Sequence, residues 1–576
     1  MMMKNRGKKY LFIRSARFLF IFVVVVWLTV NARFAGAIPD ESASIHIGEI
    51  RLGGLTGGEE MDYYDLNPHF RFQKMSIGLF GHIHRPDDRT SHYLTSPFLL
   101  LEQRKKNSAS TRWILAARSE PAMHDVPIAR LQNVIMDPNS EYRIGVGSLS
   151  TDGGRYALIV DPAVEGFEFE VEDLDLGETP NHVKHSLSVA YVVPDRQSQH
   201  GERIYAGTES GYILTSGDDA KTWRQIYPPA GQSPLHGTVF GLFVDSKGII
   251  YASPWTAADQ VLKKNLHGFV MESRDGGLTW TKAFSLEWPT GVAWRIAEDS
   301  HGNVFIGEYS SKIVEEGAPR YAGNVWRRKN HGNNSEVFEV VFANPRIEPD
   351  TLLNHTHYVG VDPYTDDVYA AIGDGGVGRF IRSRRQGDPG TWETLERGVN
   401  SQYTAVTFTQ RFLFLGMDTD RQFKKIVRWD KNENFVAGNE PFWTTTGIDF
   451  YPASPIPWAD KGNWFWAHHV DEKALVFAYM PYGDVMENGQ LQPPRIYAGT
   501  NDGAKWWRLI TFPPNPIRNV PRWGENGPKF SSNISPSGWI YAMRGTVSDK
   551  IHRGFRFRLK PGAASGIFER NWENMN

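Results

Sequence analysis

The stretch Ser273-Arg274-Asp275-Gly276-Gly277-Leu278-Thr279-Trp280 constrains the fold of this chain more than any other. It has the form S-x-D-G-G-x-T-W, a self-contained turn. The Asp carboxylate can accept hydrogen bonds from backbone N–H groups, and glycine supplies positive φ where a side chain would clash. Thr and Trp then open the next strand, with the indole packed beneath the turn. Looser versions recur. Ser216 to Trp223 keeps Ser, Asp, Thr and Trp but puts Asp219 and Ala220 where the glycines stand. Thr500 to Trp507 is looser still, and Ser383 to Trp392 carries an insertion and a displaced Asp388. A hairpin turn used this often predicts an all-β chain built from repeats.

A second repeat runs through the same region. Ile204-Tyr205-Ala206-Gly207, Ile250-Tyr251-Ala252-Ser253, Val304-Phe305-Ile306-Gly307 and Val368-Tyr369-Ala370-Ala371 share an apolar–Tyr/Phe–small pattern. Leu413-Phe414-Leu415-Gly416, Val476-Phe477-Ala478-Tyr479 and Ile540-Tyr541-Ala542-Met543 continue it, with copies spaced 45 to 64 residues apart. Several follow a D-x-x-G turn, as in Asp245 to Gly248 and Asp299 to Gly302, and Asp362-Pro363 takes that place before the fourth. Periods in this range indicate a β-propeller rather than a solenoid. Each unit reads as a strand, a turn, the aromatic strand, a third strand ending in the Ser–Asp turn, and a fourth from its Trp. Seven blades fit best, and six is the alternative. One blade cannot bury both faces alone, so each aromatic is expected between neighbouring blades.

Residues 38–180 lack the repeat. Candidate strands Ser44–Leu52, Phe70–Leu79, Tyr93–Leu101, Arg112–Ala117, Tyr142–Leu149 and Arg155–Val171 predict an N-terminal β-sandwich-like domain. Turns at Arg85-Pro86-Asp87-Asp88 and Asp137-Pro138-Asn139 separate them, and the acidic run Glu165 to Glu178 is expected to edge the sandwich. The propeller would then occupy 181–576; alternatively, the sandwich lends a strand that closes the ring. Residues 1–37 read as a signal peptide: basic residues from Lys4 to Arg17, an apolar run Phe18 to Val30, then Ala35-Gly36-Ala37. A secreted or periplasmic protein is expected, the alternative being an uncleaved membrane anchor. No later stretch approaches the length of a membrane span. Cys is absent, which excludes disulfides, zinc–thiolate sites and cysteine nucleophiles. A net charge of −2 gives no basic footprint for nucleic acid.

The Ser273–Trp280 turn resembles the Asp box, or BNR repeat, of the sialidase-like β-propeller superfamily. Sialidases, xyloglucanases, sortilin-type receptors and photosystem-assembly propellers carry it. The resemblance implies a turn that caps a hairpin on the face away from the ligand, so it informs fold rather than chemistry. The segment His355-Thr356-His357, Val361-Asp362-Pro363-Tyr364-Thr365, then Gly373-Asp374, is similar to a group of prokaryotic Asp-box propellers with H-x-H, V-D-P-Y-T and G-D in that order. That likeness runs from about residue 200 to 545 and brings no activity with it. A true sialidase is not implied: no F/Y-R-I-P motif precedes the turns, and no arginine triad with a Tyr–Glu pair can be assigned. Xyloglucanase-type hydrolases use two propellers, and this chain has room for one.

In a propeller the inner strands line a channel and begin on the face opposite these turns. Counted that way, the blades present His185, His236, Trp294 with Arg295, and Asn354 with His355 and His357. Gln402 with Tyr403, Trp464 with Trp466 and His468, and Lys529 with Asn533 complete the set. The expected ligand-binding residues are Arg295, His355, His357, Gln402, Tyr403, Trp466 and His468. His355 and His357 are two apart on a strand and share a face. They could hold a divalent metal with a third ligand, act as a general base, or simply hydrogen-bond carbonyls and water. Arg295 could hold a carboxylate or a neighbouring blade, and Trp466 could stack on a sugar or fill the core. His468 and His469 are adjacent, so only one can face the channel. Catalytic residues and a metal stay unassigned.

The expected function is an exported propeller that binds a polar, carbohydrate ligand at its channel mouth. One alternative is a carbohydrate-active enzyme, either a polysaccharide lyase or a glycoside hydrolase. Propeller lyases of the oligogalacturonate type use a His base and a His/Gln-held metal, and His355, His357, His468 and Gln402 match those residue types. Asp362 and Asp374 are candidates for paired-carboxylate hydrolysis, although each also suits a turn. A protein-assembly scaffold is the second alternative.

Overall fold

Short runs of Val, Ile, Tyr and Phe between tight turns favour pleated strands throughout. The computed structural model describes 36 strands and their shorter connections between Ser44 and Leu559. Residues 1–43, 560–576 and longer connections such as 256–267, 311–322, 433–462 and 512–527 lie outside the described residues. The expected signal peptide falls among these, as do His185, His236, Asn354 and the Arg85–Asp88 turn.

The repeat region forms successive antiparallel sheets with consecutive strands as neighbours. These span Leu187–Tyr227, Thr238–Ser285, Gly291–Phe342, Thr356–Arg397, Tyr403–Asp430 and Asn463–Thr511, here called blades one to six. Blade five has three strands among the described residues, and the others have four. The last sheet, blade seven, combines Pro528–Phe530, Ile540–Arg544 and Arg553–Leu559 with Phe169–Leu174. First strands of neighbouring blades touch in order, and that of blade seven touches that of blade one, so the array is a closed propeller. Ser532 donates from its backbone to Ala190 O at 2.8 Å. Asn533 then pairs with both backbone groups of Val192, at 2.9 and 2.6 Å, which seals the joint. Asn533 is thereby a closing residue and not part of a ligand set.

The acidic run does not edge the sandwich. Phe169–Leu174 pairs antiparallel with Arg553–Leu559 over its whole length, so the ring draws a strand from the N-terminal side of residue 180. All seven repeat aromatics, Tyr205, Tyr251, Phe305, Tyr369, Phe414, Phe477 and Tyr541, sit on second strands and are at most 7% exposed. Each contributes roughly 2 kcal/mol by leaving water.

Ahead of the ring, two sheets face each other as a β-sandwich. One runs in the order Ser44–His46, Asp62–Asn67, Ser140–Ser148, Pro97–Lys105, Ile114–Arg118. The other runs Ile50–Leu55, Gly154–Pro162, Lys74–Gly81, Ile128–Ile135. Tyr64, Leu99, Leu101, Ile144 and Val146 from the first meet Ile77, Leu79, Leu131, Tyr156 and Leu158 from the second. Three details differ from expectation. The Ser44–Leu52 strand is two strands in different sheets, and Arg155–Val171 breaks at Pro162 before its end enters the ring. Asp62–Asn67 and Ile128–Ile135 are additional strands; Asp62, on the same face as Tyr64 and Leu66 and bonded by Tyr156, hid their alternation. Ile159 leaves the sandwich core and joins Leu509 and Ile510 of blade six.

The turns between third and fourth strands show why the motif residues are needed. Ser273 Oγ donates to Asp275 Oδ1 and accepts from Gly277 N, at 2.9 and 2.8 Å. Asp275 accepts from Thr279 N and Oγ1 at 2.8 and 2.5 Å, and these bonds hold its carboxyl at about 2. Gly276 and Gly277 take φ of 71° and 92°. A Cβ on Gly277 would come within 2.7 Å of Ile226 in the preceding blade. Ser216–Trp223 builds the same network, yet Asp219 and Ala220 adopt φ of 61° and 63° without being glycine. Left-handed backbone costs such residues roughly 1–2 kcal/mol each.

Asp219 has a reason to be there. Its carboxylate receives Arg556 Nη1 at 3.1 Å, from the third strand of blade seven. Arg556 also donates to Glu172 at 2.5 Å and lies 4.3 Å from the Trp539 ring. The device repeats around the ring. Arg327 on the third strand of blade three donates to Gln386 O and Asp388 in the next turn, both at 2.7 Å. Arg428 on the third strand of blade five donates to Asp502 O. Each arginine stands opposite a repeat aromatic: Tyr541, Phe305 and Phe414. The displaced Asp388 thus serves as an arginine partner.

Candidate functional site

The end of the channel opposite these turns is shaped by bulges. Six first strands carry an extra residue near their starts, at Ser188, Phe240, Trp294, His357, Thr404 and Phe465. A bulge frees one residue from the ladder and re-aims its side chain. Here it turns His357 so that its ring meets that of His355 edge-on, with centroids 4.4 Å apart. Simple i, i+2 counting assumed a regular strand, and the bulge is what sets the actual meeting of the two rings.

Both imidazoles converge on Asp374, which follows the second strand of the same blade. His357 Nε2 lies 2.8 Å from Asp374 Oδ1, and His355 Nε2 lies 3.5 Å from Oδ2. Gln402, at the entry to blade five, donates from Nε2 to Oδ1 at 2.8 Å. His355 and His357 are buried and Asp374 is 29% exposed, so the carboxylate is the opening of the cluster. Burial works against the Asp374 charge, but His355, His357 and the hydrogen bonds more than offset it and hold this carboxyl far below the usual range. Burial likewise opposes a charged His357, and Asp374 outweighs it, with Asp418 adding, so the imidazole is shifted upward. One ligand atom from each of His355, His357 and Asp374 lies within 4.8 Å of the others, which fits a metal ion as well as a proton-sharing cluster.

An aromatic wall adjoins this cluster. Tyr309 packs on His355 with centroids 4.1 Å apart, Trp294 meets Tyr309 at 4.9 Å, and Phe240 links Trp294 to Trp255. Arg295, next to the Trp294 bulge, reaches across the ring. Its guanidinium lies 3.8 Å from the Trp466 ring, and Nη2 donates to Thr404 O at 3.4 Å. Burial pulls its pKa down to about 10, partly countered by Tyr358.

His355, His357 and Gln402 are therefore gathered round one carboxylate, with Arg295 and Trp466 as a second, stacked pair. Trp466 has one face taken by Arg295 and is 7% exposed, which makes it a support for the guanidinium rather than a platform for sugar. His468 donates to Ser531 O at 2.9 Å and lies alongside Phe530; burial pushes it down to about 4. Its neighbour His469 instead meets Tyr364 OH at 3.3 Å. Tyr403 turns away from the channel. Its hydroxyl donates to Glu396 at 2.6 Å and its ring packs on Phe380 in the blade-four interface, because the first residue of that strand precedes the bulge. The Trp464 and Lys529 side chains lie outside the described residues.

The paired-carboxylate idea does not survive. Asp362 and Asp374 follow opposite ends of one hairpin, and Asp362 is a buried turn residue held by Lys431 at 2.6 Å. Asp374 is instead the partner of the histidines, a role the sequence reading did not give it. The signal was present in the hairpin register: Val361 faces Val368, so Gly373 returns to the level of His355, and its N–H donates to His355 O at 2.7 Å.

No protein family matches this chain, and no curated protein does. Solved structures similar to it include YCF48 from Cyanidioschyzon merolae, at 12% identity over 68% of this chain and 99% of that one, with a TM-score of 0.39. The GH74 xyloglucanase from Xanthomonas campestris is 14% identical over 66% of this chain and 54% of its own, with a TM-score of 0.41. A gluconolactonase from Xanthomonas campestris is 9% identical over 56% and 89%, with a TM-score of 0.30. These are β-propeller proteins.

Proposed function

We propose that this propeller is exported and binds a polar, carbohydrate-class ligand at the mouth of its channel, without a sialidase mechanism. The carrying observation is the junction of an aromatic wall with the half-open Asp374 carboxylate and its His355, His357 and Gln402 partners. Sugar rings present apolar C–H faces beside hydroxyls, and the half-buried Phe240 and Trp255 at the end of the wall offer rings for the faces, while Asp374 and Gln402 offer an acceptor and a donor for the hydroxyls. Arg295 adds a cation on the same channel and favours sugars carrying a carboxylate. Binding of the full chain to an array of neutral and uronic-acid oligosaccharides tests the reading. Retention of uronic-acid ligands, lost in Arg295→Met, is expected; an array without any retained glycan refutes it.

The His357–Asp374 hydrogen bond favours a second reading. A buried imidazole held by a carboxylate is a competent proton donor or acceptor, as a polysaccharide lyase or hydrolase needs. New reducing ends or the absorbance of unsaturated products from a polysaccharide panel, abolished in His357→Gln, would establish it. Absence of both would leave binding without catalysis.

A further inference from the structure

The geometry points to a divalent transition-metal site formed by His355 Nε2, His357 Nε2 and Asp374, with the Gln402 amide as an additional ligand. This goes beyond the carbohydrate reading and does not depend on it. Three observations carry it. Among the described residues, only this group of three His, Asp or Glu side chains has ligand atoms so disposed, all within 4.8 Å of one another. A metal with bonds of about 2.1 Å holds adjacent donors about 3 Å apart, and the contacts of 2.8 and 3.5 Å to Asp374 bracket that spacing. The ligands also come from rigid places: a first strand, the end of the paired second strand, and the entry to the next blade.

The chemistry of the donors selects the ion. Two imidazoles and a carboxylate suit Zn2+, Mn2+, Fe2+ or Ni2+ over Ca2+ and Mg2+, which prefer an all-oxygen shell. Gln402 now points Nε2 at Asp374, and half a turn of its amide would present the carbonyl oxygen. Because Asp374 is the exposed member, the coordination sphere would be open towards the channel. Such a site is of the kind that admits a water or a ligand oxygen, not a sealed structural one. The other His–carboxylate contacts, His200 with Asp219 and His301 with Asp366, join one imidazole to one carboxylate at exposed turns.

The test uses the full chain stripped of metal by a chelator and titrated with Zn2+, read by calorimetry and by elemental analysis after desalting. One ion per chain is expected. His355→Gln and Asp374→Asn should each weaken binding by about 100-fold or more, since even the loss of a group that only orients a ligand costs roughly 10–100-fold. His301→Gln should leave it unchanged. Retention of the ion with wild-type affinity in both site variants, or no ion bound by the unmodified chain, overturns the proposal. Should the variants misfold, Cu2+ loaded into the unmodified chain provides the decision by electron paramagnetic resonance. Nitrogen couplings from two imidazoles are expected, and a spectrum with one or none is contrary.

Discussion

Arg556→Met probes how the ring is held shut. Arg556 is 6% exposed and gathers Asp219 of blade one, Glu172 of the N-terminal strand and Tyr541 of its own blade. Glu172 is 43% exposed, so its share is screened and worth about 0.5 kcal/mol. Asp219 is 17% exposed and, among the described residues, is left with His200 as its ionic neighbour, so losing its charged hydrogen bonds costs about 1.5–3 kcal/mol. Met retains most of the apolar stem against Trp539, which keeps the packing loss small. A total of about 2–3.5 kcal/mol is expected in urea unfolding of the propeller transition. Arg558→Met, which removes a more exposed guanidinium from the same ring, should cost under about 0.5 kcal/mol. In an Asp219→Gly background the Arg556→Met loss should shrink by more than about 1 kcal/mol, because the partner carboxylate is already gone. Equal losses for Arg556→Met and Arg558→Met, or full additivity with Asp219→Gly, would refute the reasoning.

Other expectations follow from the turns and buried groups. Gly277→Ala should destabilise by about 2 kcal/mol, through φ of 92° and the clash with Ile226, whereas Ala220→Gly should change stability by under about 1 kcal/mol as relief of strain and loss of a buried methyl offset. Thermal midpoints of the two variants should move in that order; similar shifts count against it. His468 is held at about 4 against about 6.5 unfolded, so the unfolded chain takes up its proton first as pH falls. Its contribution is intact above about pH 6.5, drains by about 3 kcal/mol down to about pH 4, and is level below. The difference between wild type and His468→Gln should follow that curve, and parallel pH profiles would contradict it. Trp466→Ala should release the Arg295 guanidinium and weaken uronic-acid binding while sparing neutral sugars, measurable on the same array.

How much of this was legible depended on whether the cause was local. The seven aromatics could be read because each blade repeats one solution to the same packing problem, leaving a period in the chain. Asp275 and Thr279 could be read because the bonds of Asp275 with Ser273 and Thr279 close within four residues. The strand Phe169–Leu174 could be raised only as an alternative, since its partner is at the far end of the sequence and its acidic residues resemble a solvated edge. Asp219 looked like decay of a motif, yet its carboxylate answers an arginine from another blade. His355 and His357 were found from spacing, but the bulge that brings their rings together, and the burial of Tyr403 between blades, are set by register shifts against the second strands. Residue types alone do not reveal that.

The joint between Phe169–Leu174 and Arg553–Leu559 has a consequence for biogenesis. Glu172 and Arg556 are 384 residues apart, so the first half of the clasp is synthesised long before its mate. A chain not yet translated to Arg553 lacks the strand that pairs with both Phe169–Leu174 and Ile540–Arg544, and unpaired strand edges invite mispairing. Loop closure over such a span is costly in time more than in stability. Only a chain translated through Leu559 can supply the partner of Phe169–Leu174, so fastening of the circle is deferred until synthesis has passed that strand.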